Sequence, residues 1–151
     1  MERLIQKLTK AGVVGIDTPV FIYHLEAHPQ YSSLTQKILS SMENGKWHGV
    51  TSPITLMEIN VHPWQIGRED VARKYEALLM NFPNLTIANI DRDVARVAAQ
   101  LRARFGTRPR DALQVAASLV AEAKVFLTND HRLASLQTLM DVVVLDDFTV
   151  S

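Results

Sequence analysis

Four carboxylates carry the chemical interest of this sequence. Asp17 follows directly on the apolar run Val13-Val14-Gly15-Ile16, where a charge is costly unless it meets a partner. Glu58 lies in the segment after Thr51-Ser52, Asp111 opens the helical stretch beginning at Arg110, and Asp130 closes Thr128-Asn129-Asp130. Taken singly, three of the four have ordinary explanations. Glu58 completes a capping box with Thr55, although Ser52-Pro53 is the better helix start and puts Glu58 almost two turns in. Asp111 in a first helical turn complements the macrodipole, and Asp130 suits an N-cap before His131-Arg132-Leu133. The bland reading of Asp17 is a strand end, with Thr18 as N-cap and Pro19 at the first helical position. Brought together, however, four carboxylates would repel and raise one another's pKa. A hard divalent cation, Mg²⁺ or Mn²⁺, relieves that repulsion and prefers oxygen ligands.

The elements needed to bring them together are legible. Short β-branched runs at Val13–Asp17, His48–Thr51, Leu85–Asn89, Val125–Thr128 and Val142–Leu145 read as strands buried on both faces. Between them run helical stripes: Leu34, Ile38, Leu39 and Met42; Val94, Val97, Ala98 and Leu101; Leu113, Ala116, Ala117 and Val120. Asn44-Gly45, Gly67, Asn81-Phe82-Pro83-Asn84 and Gly106 punctuate these segments. Strands alternating with helices predict an α/β domain with a parallel sheet covered on both sides. In such a sheet ligands bind beyond the carboxyl ends of the strands, near the point where strand order reverses. Asp17, the Thr51-Ser52 segment leading to Glu58, and Asp130 are all predicted there. The first ten residues read as a short amphipathic helix using Leu4, Ile5 and Leu8.

Composition narrows the options. The 151 residues fit one domain spanning 1–151. The absence of cysteine excludes disulfide scaffolds, thiolate zinc sites and cysteine nucleophiles. Sixteen basic residues balance sixteen acidic ones, which excludes a uniformly basic nucleic-acid binder but not a local patch. Arg102, Arg104, Arg108 and Arg110 fall within nine residues free of acids. They either meet phosphates beside Asp111 or are solvated cations at a helix C-terminus; Arg110 has the further option of pairing with a neighbouring carboxylate. No run reaches the roughly eighteen apolar residues of a membrane span, so a soluble, cytoplasmic protein is expected. His24 and His28 read as helix-surface histidines, and Tyr23, Trp47 and Trp64 as packing residues. No Gly-rich phosphate loop is present.

Four segments, Gly15-Ile16-Asp17-Thr18-Pro19-Val20-Phe21-Ile22-Tyr23, Thr51-Ser52-Pro53-Ile54-Thr55-Leu56-Met57-Glu58, Arg110-Asp111-Ala112-Leu113-Gln114-Val115-Ala116 and Leu127-Thr128-Asn129-Asp130, resemble the PIN-domain family in kind and order. The closest similarity is to VapC-type toxins. The resemblance implies a three-layer α/β/α sandwich with a five-stranded parallel sheet. It also implies a metal-dependent endoribonuclease, usually a homodimer, usually neutralised by a co-encoded antitoxin. On that pattern Asp17 and Asp111 hold the principal Mg²⁺ or Mn²⁺, and Glu58 and Asp130 fill the remaining acidic positions. Thr18, Thr128 and Asn129 fall where the family uses small polar residues to support the site. Two departures stand out: Pro19, where the family often has Asn, Ser or another small residue, and an N-terminal extension of about twelve residues.

The resemblance thus implies RNA phosphodiester hydrolysis, with RNA and an antitoxin as partners, and the sequence puts Arg108 and Arg110 as the cations nearest the predicted metal. Phe21, Leu25, Leu56, Ile59, Val61 and Trp64 either form a homodimer surface or complete the monomer core. Two alternatives stay open. One is a PIN module that processes RNA outside a toxin system, or binds RNA or a partner without cutting. The other, which the sequence disfavours, is a receiver-like phospho-accepting domain: it would need an aspartate at the end of strand three and a lysine at the end of strand five, where the sequence has Asn89 and Asp146-Asp147.

Overall fold

The computed structural model describes residues 1–149. The chain runs α1 (Glu2–Ala11), β1 (Val13–Ile16), α2 (Thr18–Leu25), α3 (Ser32–Glu43), β2 (His48–Thr51), α4 (Pro53–Gln65) and α5 (Glu69–Met80). It continues through β3 (Leu85–Ile87), α6 (Arg92–Phe105), α7 (Pro109–Val120), β4 (Val125–Thr128) and β5 (Asp141–Val144), with 3₁₀ turns at His131–Leu136 and Leu145–Phe148. All strand pairs are parallel, in the order β3-β2-β1-β4-β5. The order reverses beside β1: the chain first builds outward to β3, then returns to lay β4 on β1's other edge. A crevice at that reversal is where an open sheet binds ligands. β3 lies at the outer edge, two places from β1. The receiver order 2-1-3-4-5 instead brings the third strand beside the first, so that alternative does not fit this sheet.

Helices cover both faces, as the α/β/α expectation requires. Under one face Leu4 and Leu8 of α1, Val20 and Phe21 of α2, and Ile38, Leu39 and Met42 of α3 pack with Val14, Ile16, Val125 and Leu127. Under the other, Val94, Ala98 and Leu101 of α6 and Ala112, Val115 and Ala116 of α7 pack with Phe126. The N-terminal extension therefore contributes to the first core layer. Among the described residues no helix is long and apolar enough to cross a membrane.

Several boundaries differ from the sequence expectation. β1 ends at Ile16 because Asp17 turns to cap α2, its side chain accepting from the Thr18 N–H at 2.8 Å. Asp17, not Thr18, is thus the N-cap. β3 ends at Ile87 rather than Asn89, although Ala88 still donates to the Thr51 carbonyl at 2.8 Å. β5 starts at Asp141 and stops at Val144, since Leu145 already belongs to a 3₁₀ turn. α7 packs on the sheet and along α6, so its buried arc is wider than the predicted stripe; it takes in Ala112 and Val115, while Val120 is exposed.

Candidate active site

Three local devices deliver Asp17, Glu58 and Asp111 to the carboxyl edge of the sheet. The first is the Asp17 cap just described, which keeps the carboxylate at the end of β1. The second is Ser52, whose side chain accepts from the Ile54 N–H at 3.1 Å and starts α4 with Pro53 in its first turn; Glu58 then lies inside the helix rather than in a capping box. The third is Gly106, which ends α6 in the left-handed region at φ 67°, its N–H donating to the Arg102 carbonyl. The chain can then restart at Pro109, placing Asp111 in the first turn of α7.

Asp17, Glu58, Asp111 and Asp130 line one cleft of about 580 Å³, together with Pro19, Arg108, Pro109 and Arg110. The acids divide by depth. The Asp17 and Asp111 side chains are 2% and 5% exposed, whereas Glu58 and Asp130 stand nearer the rim at 28% and 24%.

Arg110 occupies the middle of the group. Its guanidinium donates to both Glu58 oxygens at 2.5–3.1 Å, to Asp17 Oδ1 at 2.8 Å, to Asp111 Oδ1 at 2.8 Å and to Thr18 Oγ1 at 3.1 Å. Burial works against its charge, but Glu58, Asp17 and Asp111 outweigh that and raise its pKa further above the ordinary arginine value. Arg108, half exposed, pairs with Asp111 Oδ2 at 2.8 Å and reaches Asp130 Oδ2 at 3.4 Å. Hydrogen bonds from Arg132 hold the Asp130 carboxyl below the usual carboxylate range, against a smaller effect of burial.

Behind the acids lies a layer of buried hydroxyls. Thr128 Oγ1 donates to Asp17 Oδ2 at 2.8 Å and accepts from the Asp130 N–H at 3.1 Å, joining two acids. Thr18 Oγ1 donates to Glu58 Oε1 at 2.6 Å. Gln114 donates to Thr55 Oγ1 at 2.8 Å and accepts from Ser52, and Thr55 in turn meets Thr18 and Thr51. Sequence reasoning assigned no site role to Thr51, Ser52, Thr55, Gln114 or Arg132. For Gln114 a signal existed, since it is a polar residue inside the apolar run Ala112–Ala117, where an amide must find partners. Asn129 points elsewhere, donating to the Tyr23 hydroxyl at 3.0 Å and accepting from the Asp146 N–H at 2.9 Å. Trp47 is core, donating to Ser41 Oγ at 2.7 Å.

The donor chemistry suits a hard divalent cation, with carboxylate oxygens in front and hydroxyls behind. Among the described residues, though, no three acid or imidazole side chains enclose a common ion position as they stand. Asp17, Glu58 and Asp111 are arranged around the guanidinium of Arg110.

The PIN-domain family model matches residues 14–139 of the chain. The chain belongs to the PIN-domain family. No curated protein matches its sequence, but several solved structures match its fold. VapBC2 from Rickettsia felis, bound to a DNA fragment from its promoter, aligns with TM-score 0.70 and 13% identity over 87% of this chain and 98% of that one. A toxin–antitoxin complex from Klebsiella pneumoniae gives 0.64 and 19% over 88% and 97%. FitAcB from Neisseria gonorrhoeae gives 0.64 and 17% over the same shares. At such identities the likeness is one of fold. Within this PIN domain, Pro19 sits at the second helical position of α2 and forms part of the cleft wall.

Proposed function

We propose that this PIN domain is a divalent-metal-dependent endoribonuclease, the toxin of a toxin–antitoxin pair. One observation carries the reading: four acids from four separate segments meet in one cleft at the point of strand reversal. Asp17 and Asp111, the buried pair, would hold Mg²⁺ or Mn²⁺, with Glu58 and Asp130 completing the set directly or through water. When bound, such an ion relieves charge on the phosphoryl oxygens and lowers the pKa of a bound water.

Hydrolysis adds a water oxygen to phosphorus and breaks the bond to a ribose oxygen. Glu58 or Asp130, at the rim, would orient that water, and the proton the water gives up ends on the departing ribose oxygen, which leaves as a hydroxyl. Thr18 and Thr128 fix the carboxylates by hydrogen bonds, which leaves little reorganisation to the reaction itself. Arg108 is half exposed at the cleft and offers its charge to the RNA backbone.

The partners follow the same reading. The solved Klebsiella pneumoniae neighbour is a toxin–antitoxin complex, and an antitoxin protein is the corresponding partner here. A second copy of the chain docks on the apolar side of α4, where Met57, Val61 and Trp64 are exposed.

The test is Asp17→Asn, which keeps shape and removes a charge. Mg²⁺-dependent cleavage of RNA by the purified, folded variant should fall about 100-fold or more, and a chelator should abolish the native activity. Undiminished cleavage by the variant overturns the assignment.

A further inference from the structure

Arg110 stands where a cation is wanted. Its guanidinium is shared by Asp17, Glu58 and Asp111, at 2.8, 2.5 and 2.8 Å. None of the three depends on it alone. Asp17 also accepts from the Thr18 N–H and from Thr128 Oγ1, Glu58 from Thr18 Oγ1, and Asp111 from Arg108. The acids therefore keep protein partners when the guanidinium is withdrawn. The side chain is 29% exposed on the first turn of α7 and lines the open cleft, so it has a route out.

A divalent ion and a guanidinium cannot share the same inner oxygens, since like charges at such range repel strongly. We propose that Arg110 is a tethered counter-cation. It holds the acid cluster in the metal-free protein, and a divalent ion must displace it to bind. This rests on the metal-nuclease reading above and adds a built-in competitor to it. The competition is quantitative. If the guanidinium leaves the site free roughly a tenth of the time or less, the apparent affinity for the ion falls tenfold or more.

Two measurements test the inference. The first titrates Mn²⁺ into the full chain by calorimetry, comparing the native protein, Arg110→Gln and Asp17→Asn. Arg110→Gln should bind Mn²⁺ roughly tenfold or more tightly than native protein, and Asp17→Asn should lose the binding. The second uses the native protein alone, so it does not depend on the variant folding. The Arg110 Nε–H resonance should exchange slowly with solvent in metal-free buffer and quickly once Mg²⁺ saturates the protein. Equal or weaker Mn²⁺ binding by folded Arg110→Gln overturns the proposal, as does an Nε–H that stays protected at saturating Mg²⁺. Either result leaves the metal site standing if Asp17→Asn still abolishes binding. Mn²⁺ binding that survives Asp17→Asn, or no binding by any of the three proteins, overturns the metal-site reading and this inference with it.

Discussion

Thr128 shows how much of the site is carried by groups that do no chemistry. Its hydroxyl is fully buried, donates to Asp17 Oδ2 and accepts from the Asp130 N–H. One side chain thus fixes the deepest acid and the loop that carries a rim acid. Thr128→Val keeps the shape and removes both bonds, leaving Asp17 with fewer donors and a freer rotamer. Outer-shell losses of this kind typically reduce metal affinity or activity by about 10–100-fold. The expected result is a fall of that size in Mg²⁺-dependent RNA cleavage, with the Mg²⁺ requirement shifted to higher concentration. A folded variant with native Mg²⁺ dependence would show that the hydroxyl is only a packing element.

Among the elements, α7 and α1 lend themselves to direct test. α7 lies tight on β1 because Gly15 has no side chain: a Cβ there would run into Ser118 and come within 2.8 Å of Phe126. Gly15→Ala must push α7 outward, at a cost of about 1–3 kcal/mol in urea unfolding. Because α7 carries Arg110 and Asp111, cleavage should fall in the same variant even at temperatures where it is fully folded. α1 is tied to β5 by Lys7 and Asp141 at 2.7 Å. Burial pushes the Asp141 carboxyl up, but hydrogen bonds from Lys7 and Gln137 outweigh it and hold the pKa below the usual value. A depressed carboxylate pKa adds stability above its unfolded value, and that stability is lost as pH falls through the folded value. Asp141→Asn should therefore be less stable than native protein at neutral pH, by about 0.5 kcal/mol for so exposed a pair. The gap should close as pH falls below about 4, measured by denaturant unfolding across pH. A constant gap would mean the loss lies elsewhere than in the charge.

At the scale of the whole molecule, assembly turns on which apolar side chains remain outside. Phe21 and Ile59 are buried at 1% and 4% exposure and complete the monomer core, whereas Val61 and Trp64 are 47% and 56% exposed on α4. Trp64 lines a shallow apolar depression with Leu56, Met57 and Val61, and exposed apolar patches of this kind mark contact surfaces. Light scattering at micromolar concentration should give native protein a mass near twice the 16.9 kDa chain. Trp64→Glu, which places a charge on that surface, should return the mass to that of one chain. A native mass of one chain, unchanged on concentrating, would remove the dimer.

Sequence alone determined the features set by neighbours along the chain. β-branched runs made the strands, apolar spacing made the stripes of α3 and α6, and Asp17, Asp111 and Asp130 could be read at element ends because caps and turns are local. It also carried the order of the four motifs, and through them the α/β/α sandwich. Tertiary structure decided what depends on residues far apart in the chain. Arg110 meets Glu58 across 52 positions and Asp17 across 93, so its place among the acids, rather than beside them, has no trace in local spacing. The same holds for Gln114, which bridges Ser52 and Thr55. Phe21 and Trp64, equal as apolar residues, became core and surface only once α2 and α4 had docked, because burial belongs to the packed molecule and not to the residue.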